Sequence, residues 1–281
     1  MNKRKITLYF KSILTIIPAS ILGIIGMICN DVPNIIWLQN LVTMFLCATM
    51  AFVLIFKKVK INDMMIAVIS LILLFLTLFG NGIDGVHRWV RLAIINVNVA
   101  MIVLPMILVV TYNLLEKKKV RYALTVIISG AILLLLQPDA SQLIGFSIPM
   151  IILMFYKKIN SVVRFLVSAM LIYLMILSWL FIDKLAPVSY VEGILGLLNN
   201  ISLLWLIIGI ISLILVPLPY ILFPPAKFRL LSICIGLYYC IITISTIFGN
   251  FPVPFMGYGI SPIIGYWIVF VWYVKKKCGG L

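Results

Sequence analysis

Lys117-Lys118-Lys119-Val120-Arg121 opens onto the apolar run Tyr122-Ala123-Leu124-Thr125-Val126-Ile127-Ile128-Ser129-Gly130-Ala131-Ile132-Leu133-Leu134-Leu135-Leu136, which stops at Gln137-Pro138-Asp139. A second apolar run over 140–156 then returns to Lys157-Lys158. Basic end, apolar crossing, acidic turn, apolar crossing, basic end is the signature of a helical hairpin through a bilayer. Each crossing needs about 20 predominantly apolar residues, and Lys and Arg collect on the cytoplasmic side.

The same alternation extends over the whole chain of 281 residues. Apolar spans are expected at about 6–28, 35–56, 64–79, 92–115, 121–136, 140–156, 162–182, 194–223, 228–248 and 257–274. The basic clusters are Lys3/Arg4/Lys5/Lys11, Lys57/Lys58/Lys60, Lys117/Lys118/Lys119/Arg121, Lys157/Lys158/Arg164, Lys227/Arg229 and Lys275/Lys276/Lys277, and they occupy every second connection. They hold 19 of the 22 Lys and Arg residues, leaving Arg88, Arg91 and Lys184 on the outer side with Asp31, Asp84, Asp139, Asp183 and Glu192. An even number of spans places both termini in the cytoplasm. The expected fold is therefore an all-α integral membrane bundle of about ten helices, a single polytopic domain over 1–281 with no soluble domain, multi-pass in a plasma membrane.

A hydrophobic content of 64% leaves too much apolar surface for a soluble core. The net charge of +15 is spread over alternate loops rather than along one face, which argues against nucleic acid as a partner. The first apolar run is too long for a cleaved signal and reads as a retained helix. Cys29, Cys47, Cys234, Cys240 and Cys278 lack metal-ligand spacing and read as packing thiols, with Cys278 beside a basic run as a weak acylation candidate. Pro18, Pro105, Pro149, Pro217 and Pro219 fall inside spans, where each removes a donor and kinks its helix. No metal site and no cofactor are expected, with a divalent cation left open.

Three outward segments carry chemistry. In Gly80-Asn81-Gly82-Ile83-Asp84-Gly85-Val86-His87-Arg88-Trp89-Val90-Arg91, two arginines run against the positive-inside bias. Guanidinium makes paired bonds to phosphate oxygens, so Arg88 and Arg91 suit a lipid pyrophosphate. The plainer reading has them clamp loops through Asp84 or Asp139. In the turn Gln137-Pro138-Asp139, Pro138 stops a helix and Asp139 is placed to cap the next one. The segment Asn250-Phe251-Pro252-Val253-Pro254-Phe255-Met256-Gly257-Tyr258-Gly259-Ile260-Ser261-Pro262 reads as a rigid re-entrant loop, lining a cavity or buried in protein.

Taken in order, these segments resemble the SEDS family (shape, elongation, division and sporulation), which includes the FtsW, RodA and SpoVE proteins. Gly85-Val86-His87-Arg88-Trp89-Val90 is similar to the family's Gly-Ala-x-Arg-Trp-Ile, and Gln137-Pro138-Asp139 to its Gln-Pro-Asp turn. The segment 251–261 is similar to its Val-Pro-Leu-Pro-Phe-Ile-Ser-Tyr-Gly-Gly-Ser element. The resemblance implies a bacterial plasma-membrane protein of peptidoglycan synthesis in division, elongation or sporulation. It implies polymerisation of lipid II, or another undecaprenyl-linked lipid, beside a penicillin-binding transpeptidase of the divisome or elongasome. It also implies a substrate cavity lined by Arg88, Trp89, Arg91, Gln137, Pro254, Tyr258 and Ser261.

Two departures stand against the activity. The family's long outer loop with its catalytic Asp, in a His-Thr-Asp-Phe-Ile-Phe setting, is reduced to residues 183–193, where Ser189 stands in place of the Asp. The family's Gln-Pro-Ser-Glu start of the fourth span is replaced by Asn98-Val99-Ala100-Met101. Glycosyl transfer needs a carboxylate base. The outer side offers Asp139, Asp183 and Glu192, and Lys184 would weaken Asp183 as a base by pairing with it. Three readings stay open: a lipid II glycosyltransferase, a non-catalytic scaffold or regulator of wall machinery, and a transporter of a lipid or small solute.

Overall fold

The computed structural model describes residues 3–58, 62–80, 82, 85–92, 95–157, 159–183 and 185–279. In chain order the elements are α1 (Lys3–Ile13), α2 (Ile17–Cys29), α3 (Asn34–Leu54), α4 (Asp63–Thr77), β1 (Trp89–Leu92), β2 (Ile95–Asn98), α5 (Val99–Glu116), α6 (Val120–Leu136), α7 (Ala140–Tyr156), α8 (Ser161–Leu180), α9 (Ile194–Ile201), α10 (Leu203–Leu215), α11 (Leu218–Leu222), α12 (Arg229–Ser245) and α13 (Ile260–Cys278). Each expected span coincides with a helix or a run of short helices, so the fold is an all-α membrane bundle apart from one hairpin. The stretches Lys3–Cys29, Asn34–Leu54, Val99–Glu116, Ser161–Leu180 and Ala226–Ser245 are long and apolar enough to cross a bilayer.

Two boundaries differ from expectation for physical reasons. The fourth helix starts at Val99 rather than near residue 92. Residues 89–92 and 95–98 instead pair antiparallel, with Trp89 opposite Asn98 and Arg91 opposite Asn96. The β-branched alternation in Ile95-Asn96-Val97-Asn98 suits a strand, and the Asn98 side chain then accepts from Met101 N at 3.2 Å to cap α5. The first span is broken before Pro18, which sits in the opening turn of α2, where its missing N–H costs no helical bond. Pro105 and Pro149 remain inside α5 and α7. The long eighth span divides at Ser202, whose side chain caps α10, and again at Pro217.

The helices fall into two compact units, one formed by Lys60–Leu185 and the other by Met1–Val59 with Ala186–Leu281. In the Lys60–Leu185 unit α5 is the core. It packs on α4, α6 and α7, and 78% of its apolar window is buried. The outermost helix α8 buries only 28% and turns Phe165, Leu166, Tyr173, Ile176 and Leu180 outward, the surface expected to face lipid.

In the other unit α13 packs against α3 and α1, while α2 packs against α3, α9 and α10. Its core is aromatic. Tyr220, Tyr239, Tyr266, Phe255 and Phe270 are at most 1% exposed, with neighbouring rings in edge-on and stacked contact. Most of the segment 251–257 is buried in protein, while Asn250 is exposed and Tyr258 and Gly259 are half-buried. Phe251, Val253, Phe255 and Met256 are nearly inaccessible. Gly23 lets α2 lie against the Met256 carbonyl, where a Cβ would collide with backbone.

Candidate functional site

The Lys60–Leu185 unit holds a buried charge cluster. Arg88, just before β1, is 2% exposed and pairs through Nη2 with Asp183 Oδ2 at the end of α8. Its Nε lies 3.8 Å from Asp139 Oδ2. Nε and Nη2 both donate to the Pro138 carbonyl, Nε at 3.2 Å. The side chains of Asp139 and Asp183 are 3% and 5% exposed. One cation therefore faces two carboxylates out of water, where charge-assisted bonds are strong and unpaired charge is costly.

Local structure explains each placement. Asp139 caps α7, its Oδ1 accepting from Gln142 N at 3.2 Å, while Oδ2 accepts from Asn98 Nδ2 at 3.3 Å. Asp183 Oδ1 accepts from Leu185 N at 3.2 Å in the turn that follows α8. Gln137 lies beneath, its Nε2 donating at 2.8 Å to both the Leu74 carbonyl and Thr77 Oγ1, which ties the turn to α4. His87 Nδ1 lies 3.2 Å from the Gly80 carbonyl, and the Arg88 guanidinium stands 5.9 Å from the Trp89 ring. Arg91 is exposed on β1.

The cluster thus unites Arg88, Gln137, Asp139 and Asp183, with Trp89 beside it and Arg91 on the surface strand. The clamp foreseen between Arg88 and Asp139 is present, and Asp183 completes it. The other foreseen pairings involve Asp84 and Lys184, which lie outside the described residues. Both oxygens of Asp139 and of Asp183 accept hydrogen bonds or ion pairs. A general base must come within hydrogen-bond reach of the proton it takes, and these two carboxylates, 3% and 5% exposed, are held against Arg88 inside the unit. As built, the arrangement fastens the hairpin, the α6–α7 turn and the end of α8 together.

Glu192, Pro254, Tyr258 and Ser261 belong to the other unit. Glu192 Oε2 accepts from Val188 N at 2.8 Å and closes the short turn that carries exposed Ser189. That turn pairs with the 250–259 segment. Val253 N donates to Val191 O at 3.3 Å and Tyr258 N to Tyr190 O at 2.7 Å. On the other side, Tyr258 Oη donates to Gln39 Oε1 at 2.7 Å. Asn40 Nδ2 donates to Gly257 O at 3.0 Å, and Asn40 Oδ1 accepts from Gly259 N at 3.1 Å. Pro254 and Ser261 are buried in this assembly.

Three contributors escaped the sequence reading. Asn98 was visible only as a departure from a pattern, although an Asn before an apolar run is an N-cap signal. Gln39-Asn40, two amides inside an apolar span, carried the signal that membrane helices hold such residues against protein rather than lipid. Among the described residues no group of three or more His, Cys, Asp and Glu side chains is arranged to hold a metal ion.

No protein-family profile matches the sequence, and no curated protein does either. Solved structures do. An alanine-substituted variant of the rod shape-determining protein RodA from Thermus thermophilus aligns over 95% of this chain and 97% of its own, at 17% identity with a TM-score of 0.71. Unsubstituted Thermus thermophilus RodA aligns with the same coverage and identity and a TM-score of 0.68. The chain therefore has the fold of a RodA protein, the fold that its resemblance to the SEDS family implies.

Proposed function

We propose that this chain is a SEDS-like protein of bacterial cell-wall synthesis, multi-pass in the plasma membrane, that works as a non-catalytic scaffold or regulator of the wall machinery. The RodA fold and the three retained sequence elements support the placement in wall synthesis. The observation that carries the non-catalytic part is the engagement of every outer carboxylate proposed as a base. Asp139 and Asp183 are tied to Arg88 and to backbone or side-chain amides, and Glu192 closes its own turn. Ser189, which stands where the family resemblance places the catalytic Asp, is an exposed hydroxyl in the turn that Glu192 closes, and it offers no carboxylate of its own.

Arg88 is likewise committed. A lipid pyrophosphate would have to displace two carboxylates from a guanidinium that is 2% exposed. The partners this reading requires are a penicillin-binding transpeptidase and other membrane proteins of the divisome or elongasome, with lipid II as a ligand of the complex rather than a substrate of this chain.

The test is lipid II polymerisation by the purified, folded protein in liposomes, with and without a candidate transpeptidase. No glycan product in either setting is expected. Glycan chains that disappear in Asp139→Ala or Asp183→Ala would replace the scaffold with a glycosyltransferase.

A further inference from the structure

In the unit formed by Met1–Val59 and Ala186–Leu281, three separate segments bring basic side chains to one end of the helices. Arg4 and Lys5 lie on α1, Lys57 just past α3, and Lys275, Lys276 and Lys277 in the last turn of α13. Hydrogen bonds fix their convergence. Lys5 Nζ donates to Ile55 O, Lys275 Nζ to Lys57 O and Lys277 Nζ to Pro224 O, each at 2.9 Å. Each contact uses one of the three donors of an ammonium group. The Lys5 charge acts on Lys275, and those of Arg4, Lys5 and Lys277 all act on the Cys278 thiol, so these cations lie within electrostatic reach of one another.

Among the described residues of the unit, no carboxylate pairs with them. Its only acidic side chains are Asp31 and Glu192. Asp31 lies beyond the far end of α2, and Glu192 precedes α9, at the ends of those helical runs remote from Lys5 and Pro224. In the other unit two lysines meet carboxylates. Lys117 pairs with Asp63 at 2.5 Å, and Lys157 pairs with Glu116. Retention of positive charge during insertion accounts for lysines at this end, but it does not require three segments to converge. Aromatic surface adjoins the cluster. Lys5 stands 5.8 Å from the Phe56 ring and Lys276 4.8 Å from Phe228, while Phe10 and Phe223 are 56% and 61% exposed.

We propose that Arg4, Lys5, Lys57 and Lys275–Lys277 form a binding site for the phosphate headgroup of an anionic phospholipid, whose acyl chains lie along the neighbouring apolar surface. Charge complementarity selects the headgroup, and position at the end of membrane helices selects a lipid over a soluble anion. The site is independent of the outer cluster and of the scaffold reading.

The full chain, released from nanodiscs of phosphatidylcholine containing phosphatidylglycerol or cardiolipin, is to be examined by native mass spectrometry for retained lipid. Retention of the anionic lipid over phosphatidylcholine is expected. Combined Lys275→Gln, Lys276→Gln and Lys277→Gln should weaken it about tenfold or more, since each basic residue at a membrane surface contributes several-fold. The corresponding Lys→Arg variant should retain it, and Lys157→Gln, in the paired set, should leave it unchanged.

Melting in detergent checks folding. If the triple variant is unfolded, Arg4→Gln with Lys276→Gln removes two exposed charges instead and should still weaken retention. Equal retention of phosphatidylcholine, or undiminished retention in a folded Gln variant, would overturn the site. Equally tight binding of free glycerol phosphate would assign it to a soluble anion and overturn the lipid claim.

Discussion

Replacing Arg88 by Ala removes the one cation that faces two carboxylates whose side chains are 3% and 5% exposed. The formal charge of the cluster changes from −1 to −2, and two desolvated anions lose their shared partner. Breaking a buried ion pair from one side costs about 3–5 kcal/mol, because the remaining charge stays buried and uncompensated. At roughly 2–4 °C per kcal/mol for a chain of this size, Arg88→Ala should melt about 10 °C lower than the parent, measured by thermal unfolding in detergent.

Charge-matched changes separate this cause from lost packing. Asp139→Asn keeps an oxygen to cap α7 and brings the cluster to neutrality, so its cost should stay below about 1 kcal/mol. Asp139→Ala removes the cap as well as the charge and should cost about 1–3 kcal/mol. Arg88→Met combined with Asp183→Asn should recover about 1–3 kcal/mol relative to the sum of the single changes, since the two groups are coupled directly. An Arg88→Ala protein that melts within about 2 °C of the parent would refute the view that the cluster fastens its unit.

Other expected outcomes follow from the same structure. Gln137→Leu severs the bonds to Leu74 O and Thr77 and should lower stability by about 1–3 kcal/mol, read by the same melting assay. Asn40→Ala releases Gly257 O and Gly259 N and should cost a similar ~1–3 kcal/mol, with faster proteolysis at the 250–259 segment as its local signature. Gly23→Ala drives a methyl into the Met256 carbonyl and should cost ~1–3 kcal/mol or more, visible as reduced yield of folded protein. Lys157→Met breaks a pair whose acidic partner, Glu116, is 48% exposed, so it should change stability by less than about 1 kcal/mol.

The spans were legible because lipid imposes a single rule on every helix, and the basic clusters mark the ends. The reading failed where a short apolar stretch admitted two backbones. Residues 92–98 have the hydropathy of a helix start, yet Asn96 and Asn98 alternate with valines and pair across a hairpin. Asp139 was legible as a cap because capping is local. Its link to Asn98, 41 residues away, and the link from Arg88 to Asp183, 95 residues away, depend on how α5, α7 and α8 pack. The pairing of the Ser189 turn with the 250–259 segment was hidden for the same reason. Neither segment has a regular element whose periodicity would have announced a partner.

The most direct test of the central claim is to purify the protein from native membranes in mild detergent and stain the eluate with a fluorescent penicillin. A transpeptidase of wall synthesis that co-elutes with the parent, and equally with Ser189→Ala, is the predicted result. An eluate with no penicillin-binding protein, from membranes in which those enzymes are abundant, would contradict a role in the wall machinery.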